Sequence, residues 1–78
     1  MIRGSVHWAA VDKRRPVIIV SADSRNETAH DVLVVPCSTS VRPMGWHVRL
    51  GRGEAGLALP SMALCEHIDV VQKEDIEP

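Results

Sequence analysis

Aromatic side chains are nearly missing from this sequence: it has no Tyr, no Phe and only Trp8 and Trp46. A base-stacking platform of several rings is therefore excluded, as is the aromatic groove with which small barrels grip proline-rich peptides. In so short a chain a Trp is expected in the core, although one exposed ring would still stack on one base. Long apolar runs are also missing. No stretch approaches the ~18 residues of a membrane span, and no signal-peptide pattern follows Met1, so a soluble, cytoplasmic protein is expected, with no membrane partner. Metal-ligand spacings are absent too. Cys65 and His67 are two apart and His7, His30 and His47 are scattered, with no CxxC or HExxH. There is no Walker loop. GRGEAG carries glycines of a dinucleotide fingerprint, but no strong strand leads through it into a helix, so it reads as a turn. Cys37 and Cys65 are isolated and read as reduced thiols, with a single bridge between them left open.

What is present is a short, apolar chain. Its 78 residues are 45% hydrophobic, too apolar for a disordered segment and of a length for one domain, residues 1–78. A chain of this size buries little more than about 60% of the surface its unfolded state exposes. The core is therefore thin, and self-association is an expected supplement. The net charge of −1 conceals an asymmetry. Residues 1–53 hold eight of the nine cations against four acids, and residues 54–78 hold six acids and only Lys73. A local basic face, rather than a basic total, is what a nucleic-acid binder needs.

The chain reads as short strands separated by turns. Residues 5–11 (SVHWAAV) alternate weakly. Residues 16–20 (PVIIV) and 32–35 (VLVV) are β-branched and apolar throughout, as strands buried on both faces are, and the second is expected to end at Pro36. Residues 21–30 read as a polar loop with at most one helical turn capped by Ser or Asp. CSTSVRPMG reads as a hydroxyl-rich loop. Residues 46–50 (WHVRL) alternate as a half-buried strand does. Two further strands are expected at 61–65 and 67–71, and a helical turn that stops at once at 73–78. The fold class is mainly β: a small, strongly twisted, partly open barrel of five or six short strands.

The order of motifs is familiar: Arg3-Gly4 before a strand with Trp8, then RRPVIIVSADSRN, VLVVPCSTS, HVRL, GLALPS and SMALCEHIDVVQKEDI. The chain resembles the MazF/PemK family of toxin endoribonucleases over nearly its whole length. The resemblance implies an SH3-like barrel that dimerises, and cleavage of single-stranded RNA at short sequences with no metal or other cofactor. The ribose 2′-oxygen attacks, leaving a 2′,3′-cyclic phosphate. It also implies a cognate antitoxin whose acidic, extended segment covers the RNA groove.

Residue roles follow from the same resemblance. Arg15 falls on the family's arginine before proline. A guanidinium offers planar, permanently charged donors to phosphoryl oxygens, and Pro16 pushes Arg15 towards an extended backbone. Ser38 falls where a hydroxyl contacts the phosphate, with Thr39 and Ser40 as neighbours one and two residues on. Glu66 falls on a carboxylate proposed in some members as the general base. It competes here with a reading as a structural acid. Arg15, Ser38 and Glu66 form the candidate catalytic set, and Arg14, Thr39, Ser40, Arg42, Trp46 and His67 the candidate substrate contacts. Three features depart from the family pattern. The loop before Arg15 is short (VDKRRP), Asp69 stands where many relatives have Arg, and a C-terminal helix is missing or minimal. These departures motivate an alternative: a barrel of the same kind acting by binding an antitoxin peptide, RNA or a gyrase-type target without cleavage.

Overall fold

The computed structural model describes residues 1–39, 44–50 and 61–77. Alternation and β-branching have built six antiparallel strands: β1 (Val6–Ala10), β2 (Arg14–Ile19), β3 (Asp31–Ser38), β4 (Val48–Leu50), β5 (Ser61–Ala63) and β6 (Asp69–Gln72). The hydrogen-bonded order is β1-β2-β3-β5-β4, with β6 also on β3. This is the mainly β, partly open architecture expected from the sequence.

β3 is the hub. Val34 to Pro36 pair with β2, Asp31 to Val34 with β6, and Cys37 and Ser38 with β5. Because successive side chains in a strand point to opposite faces, β3 feeds two cores. Val32 and Val34 join Ala9, Val17, Ile19, Val71 and Ile76. Val35 and Cys37 join Ala63, with Ile18, Val20, Leu50 and Cys65 packed alongside. β2 and β3 thus carry apolar side chains to both faces, as their unbroken apolar runs predict.

Pro36 does not end this strand, contrary to expectation; β3 runs on to Ser38. A proline within a sheet lacks a ladder donor and is tolerated where pairing changes. Val17↔Pro36 is the last pair with β2, and the Pro36 carbonyl accepts from the Leu64 N–H at 2.9 Å as β5 takes over. The sequence places Cys37 and Ser38 in a loop, and the structure corrects this for the same reason. Strand ends shift elsewhere. β4 begins at Val48 because Trp46 and His47 lie in a turn closed by His47 N–H to Met44 C=O (3.0 Å).

The polar stretch after β2 contains a six-residue helix, α1 (Asp23–Thr28), rather than one capped turn, and its N-cap is Ala22 with no side-chain cap. The expected capping groups are engaged elsewhere. Asp23 accepts from the Arg3 backbone N–H at 2.6 Å, and the Ser21 hydroxyl donates to Asn26 Oδ1. Ser21 and Asn26 are both buried. Asn26 Nδ2 donates back to the Ser21 carbonyl at 2.9 Å, and Leu33 N–H donates to Ser21 Oγ at 3.2 Å. This buried polar knot ties α1 to β3.

The expected final turn is a 3₁₀ turn, Lys73–Asp75. The chain then crosses to β1, where Ile76 pairs with Ala9 and Glu77 N–H donates to Trp8 C=O at 2.8 Å. Both Trp8 and Trp46 are exposed, at 42% and 54%, so neither is the core residue expected of it. The buried core among the described residues is built from aliphatic side chains and Cys37, which are small enough to interdigitate between the two layers.

Candidate functional site

β1 and β2 are joined by a three-residue loop, Val11 to Lys13, closed by Val11 N–H to Lys13 C=O at 3.1 Å. A second turn, Leu64 to His67, is closed by His67 N–H to Leu64 C=O at 2.9 Å. Between the two lies a cleft of 390 Å³. Val11, Pro36, Leu64 and Ile68 supply apolar lining. Asp12, Arg15, Glu66, His67 and Asp69 supply the polar groups.

Strand alternation decides which arginine enters the cleft. Trp8↔Pro16 and Ala10↔Arg14 are register pairs, so Arg14 and Trp8 share the outer face. The Arg14 guanidinium lies 4.3 Å from the centre of the Trp8 ring and donates twice to Glu77, at 2.7 and 2.9 Å. Arg15 pairs with Ala9 and so leaves β2 on the core side, at the end where the first core opens into the cleft. Its side chain is only 13% exposed. The structure therefore brings Arg15 to the cleft and carries Arg14 away from it.

Glu66 is the cleft's clasp. Its Oε2 accepts from Trp46 Nε1 at 2.7 Å and lies 2.8 Å from His47 Nε2. Met44 N–H donates to His47 Nδ1 at 3.3 Å, so Nδ1 is the acceptor nitrogen, and Nε2 carries the proton that Glu66 receives. The His47 side chain is 3% exposed. The Trp46 and His47 rings meet edge to face, 6.1 Å apart. Partial burial works to raise the Glu66 carboxyl. The hydrogen bonds from Trp46, His47 and a backbone amide overcome this and hold it down at about 2. Trp46, a candidate contact from sequence, is thus tied to Glu66 by the indole N–H, and His67 lines the cleft beside it.

Ser38 ends β3 opposite Met62, two residues beyond Pro36 and on the same face. The β2–β3 pairing stops at Val17↔Pro36, before Ser38 is reached. Thr39 is exposed. Ser40 and Arg42 lie outside the described residues. Burial pushes the Cys37 thiol up to about 11, with Cys65 adding to the shift and Arg15 opposing it. Both cysteines are free, and Cys37 is no nucleophile at neutral pH. Among the described residues no cluster of three or more metal-ligating side chains occurs.

Sequence reasoning missed Asp12. Its carboxylate meets Arg15 with Oδ1 3.0 Å from Nε and accepts from Nη2 at 3.0 Å through Oδ2. An acid three residues before an arginine is a weak signal until the loop between them is known to be tight. His47 read from the sequence as a weak candidate base, with nothing to tie it to Glu66.

A small, open antiparallel β fold with one arginine set into an end cleft defines a class of compact β proteins. The chain matches the family described as PemK-like, MazF-like toxins of type II toxin–antitoxin systems over residues 2–78, and it belongs to that family. Solved structures agree. Mycobacterium tuberculosis toxin MazF-mt6 is 28% identical with a TM-score of 0.86, over 95% of this chain and 74% of that one. Another Mtb toxin is 24% identical with a TM-score of 0.76, over 90% and 75%. The MazE–MazF structure from Deinococcus radiodurans is 19% identical with a TM-score of 0.77, over 99% and 74%, and shares the fold. No curated protein matches the chain.

Proposed function

We propose that this toxin is a metal-independent endoribonuclease that cuts single-stranded RNA, with Arg15 as the cation at the scissile phosphate. The observation that carries this reading is the Arg15 side chain, largely shielded from solvent yet lining an open cleft. In such a setting a guanidinium interacts more strongly with developing phosphoryl charge than it would in water. Pro16 and the β2 backbone aim it, and the ribose supplies the nucleophile. Ser38, which falls on the hydroxyl that the family resemblance sets at the phosphate, is the proposed second contact to it. Glu66 at about 2 is ionised but weakly basic at neutral pH. We read it as fastening the Met44–His47 turn to the edge of the cleft through Trp46 and His47, with His67 as the cleft imidazole for proton transfer. A second copy of the chain and an antitoxin with an acidic extended segment are the proposed partners, in the cytoplasm.

The test is incubation of single-stranded RNA with the protein in EDTA, scored for 2′,3′-cyclic phosphate ends. The wild type cuts and Arg15→Ala does not. Equal cutting by both, or none by the wild type, refutes the assignment. Glu66→Gln, which keeps an acceptor oxygen, retains most cutting if Glu66 only fastens that turn. It loses cutting by a factor of about 10² or more if Glu66 is the base.

One observation favours a second reading, binding without cleavage: Arg15 is already paired with Asp12. In that case RNA or an antitoxin peptide binds and no cyclic phosphate appears.

A further inference from the structure

The pairing of Asp12 with Arg15 is lopsided. The acid is 70% exposed and the arginine 13%. Releasing the carboxylate returns it to water at little cost, whereas the guanidinium, beside Val11, Pro36 and Leu64, has no such outlet and needs another anion. The contact is also incomplete. Only Nη2→Oδ2 is a well-formed hydrogen bond; the buried Nε–H is 3.0 Å from Oδ1 but off line and is left without a hydrogen-bond partner. The carboxylate is fixed from behind, because Oδ1 also accepts from Lys13 N–H at 2.9 Å within the three-residue loop. A phosphate presents the same two-oxygen edge as a carboxylate and is not tied to that loop, so it is free to align with both Nε and Nη2. The other carboxylates of the cleft do not compete for this position. Glu66 is engaged by Trp46 and His47, and Asp69 accepts from the Val70 N–H.

We infer that Asp12 is a built-in competitor for the RNA phosphate: its carboxylate occupies the Arg15 guanidinium in the free protein and leaves when a phosphate docks. The inference rests on Arg15 being the phosphate-binding cation. It assigns to the short β1–β2 loop the task of holding the site closed by charge rather than by length. The free toxin therefore has a weakened grip on RNA, set by one side chain outside the reacting groups.

The experiment is a double-mutant cycle on binding. The probe is a fluorescein-labelled, random-sequence single-stranded RNA 20-mer carrying 2′-fluoro sugars, which lacks the nucleophilic hydroxyl and so separates binding from cutting. Affinity is measured for the wild type, Asp12→Asn, Arg15→Ala and the double variant. Asparagine keeps the shape and turn preference of Asp12 and removes its charge. Asp12→Ser is a second replacement should the first fold poorly. Asp12→Asn is expected to bind about fivefold tighter than the wild type, as release of an ion pair with a solvent-exposed carboxylate allows, and to lose this gain when Arg15 is alanine. Unchanged or weaker binding by both Asp12 variants overturns the inference while leaving Arg15 intact. So does a gain that persists undiminished without Arg15, since that is general repulsion of RNA by an acid. Equal binding by the wild type and Arg15→Ala removes the Arg15 reading, and the inference with it.

Discussion

Two donors converge on one oxygen of Glu66, and acid should undo them. The folded carboxyl sits at about 2 against an ordinary 4.5, so the folded state binds this proton less readily than the unfolded state. The stability Glu66 contributes is therefore fully present above pH 4.5 and is lost as pH falls towards about 2. Asp12 and Glu77 are lowered as well and add to the same trend, so the informative measurement is a comparison. Melting temperatures of wild type and Glu66→Gln should differ at neutral pH, draw together below pH 4.5 and converge near about pH 2. Parallel curves would show that the charge of Glu66 contributes nothing to the clasp. The residues alone read equally as a basic turn, and Arg15 was singled out by the family resemblance, which sets it on the arginine before proline. Asp12 was not, because its meeting with Arg15 depends on how tightly three loop residues close. The separation of Arg14 from Arg15 was legible in principle, from the period of two, once both are known to lie inside a strand.

At the level of elements, α1 depends on the Ser21–Asn26 knot more than on its own six residues, too few to be stable alone. Asn26→Ala leaves the Ser21 carbonyl and hydroxyl buried without their partner and should cost about 1–3 kcal/mol in urea denaturation. Thr28→Ala, on the exposed surface of the same helix, should change stability by less than about 0.5 kcal/mol. Equal losses would mean that α1 is not pinned by the knot. The Ser and the Asn are both visible in the sequence motif, but the helix between them is not, because two turns give no readable apolar period. The extension of β3 past Pro36 was equally hidden. A proline ends a strand by default, and only the change of partner from β2 to β5 shows why this one does not. β2 and the first half of β3, by contrast, were legible from their unbroken aliphatic runs.

Across the whole molecule, two thin cores share one strand. Ile19 is fully buried in the first, and Ile19→Ala should cost about 2–5 kcal/mol. That is a large fraction of the roughly 4–12 kcal/mol expected for a domain of this length. Calorimetry should show a melting transition lowered by tens of degrees or lost. Trp8→Ala, on the outer face, should move it by only a few degrees, and a similar loss for both would contradict the two-core description. The opposed charges of the two halves of the sequence meet where Arg14 pairs with Glu77. Sequence order hides this, since the pairing partners stand 63 positions apart. The seating of Ile76 against Ala9 also has a meaning for synthesis. Emerging from the ribosome, β1, β2 and β3 present an unfinished core, because β6 and Ile76 are made after them. Non-local closures of this kind are slow to form. The cleft, with Asp12 and Arg15 on one side and Leu64 to Asp69 on the other, should therefore be acquired late, only after β6 has left the ribosome.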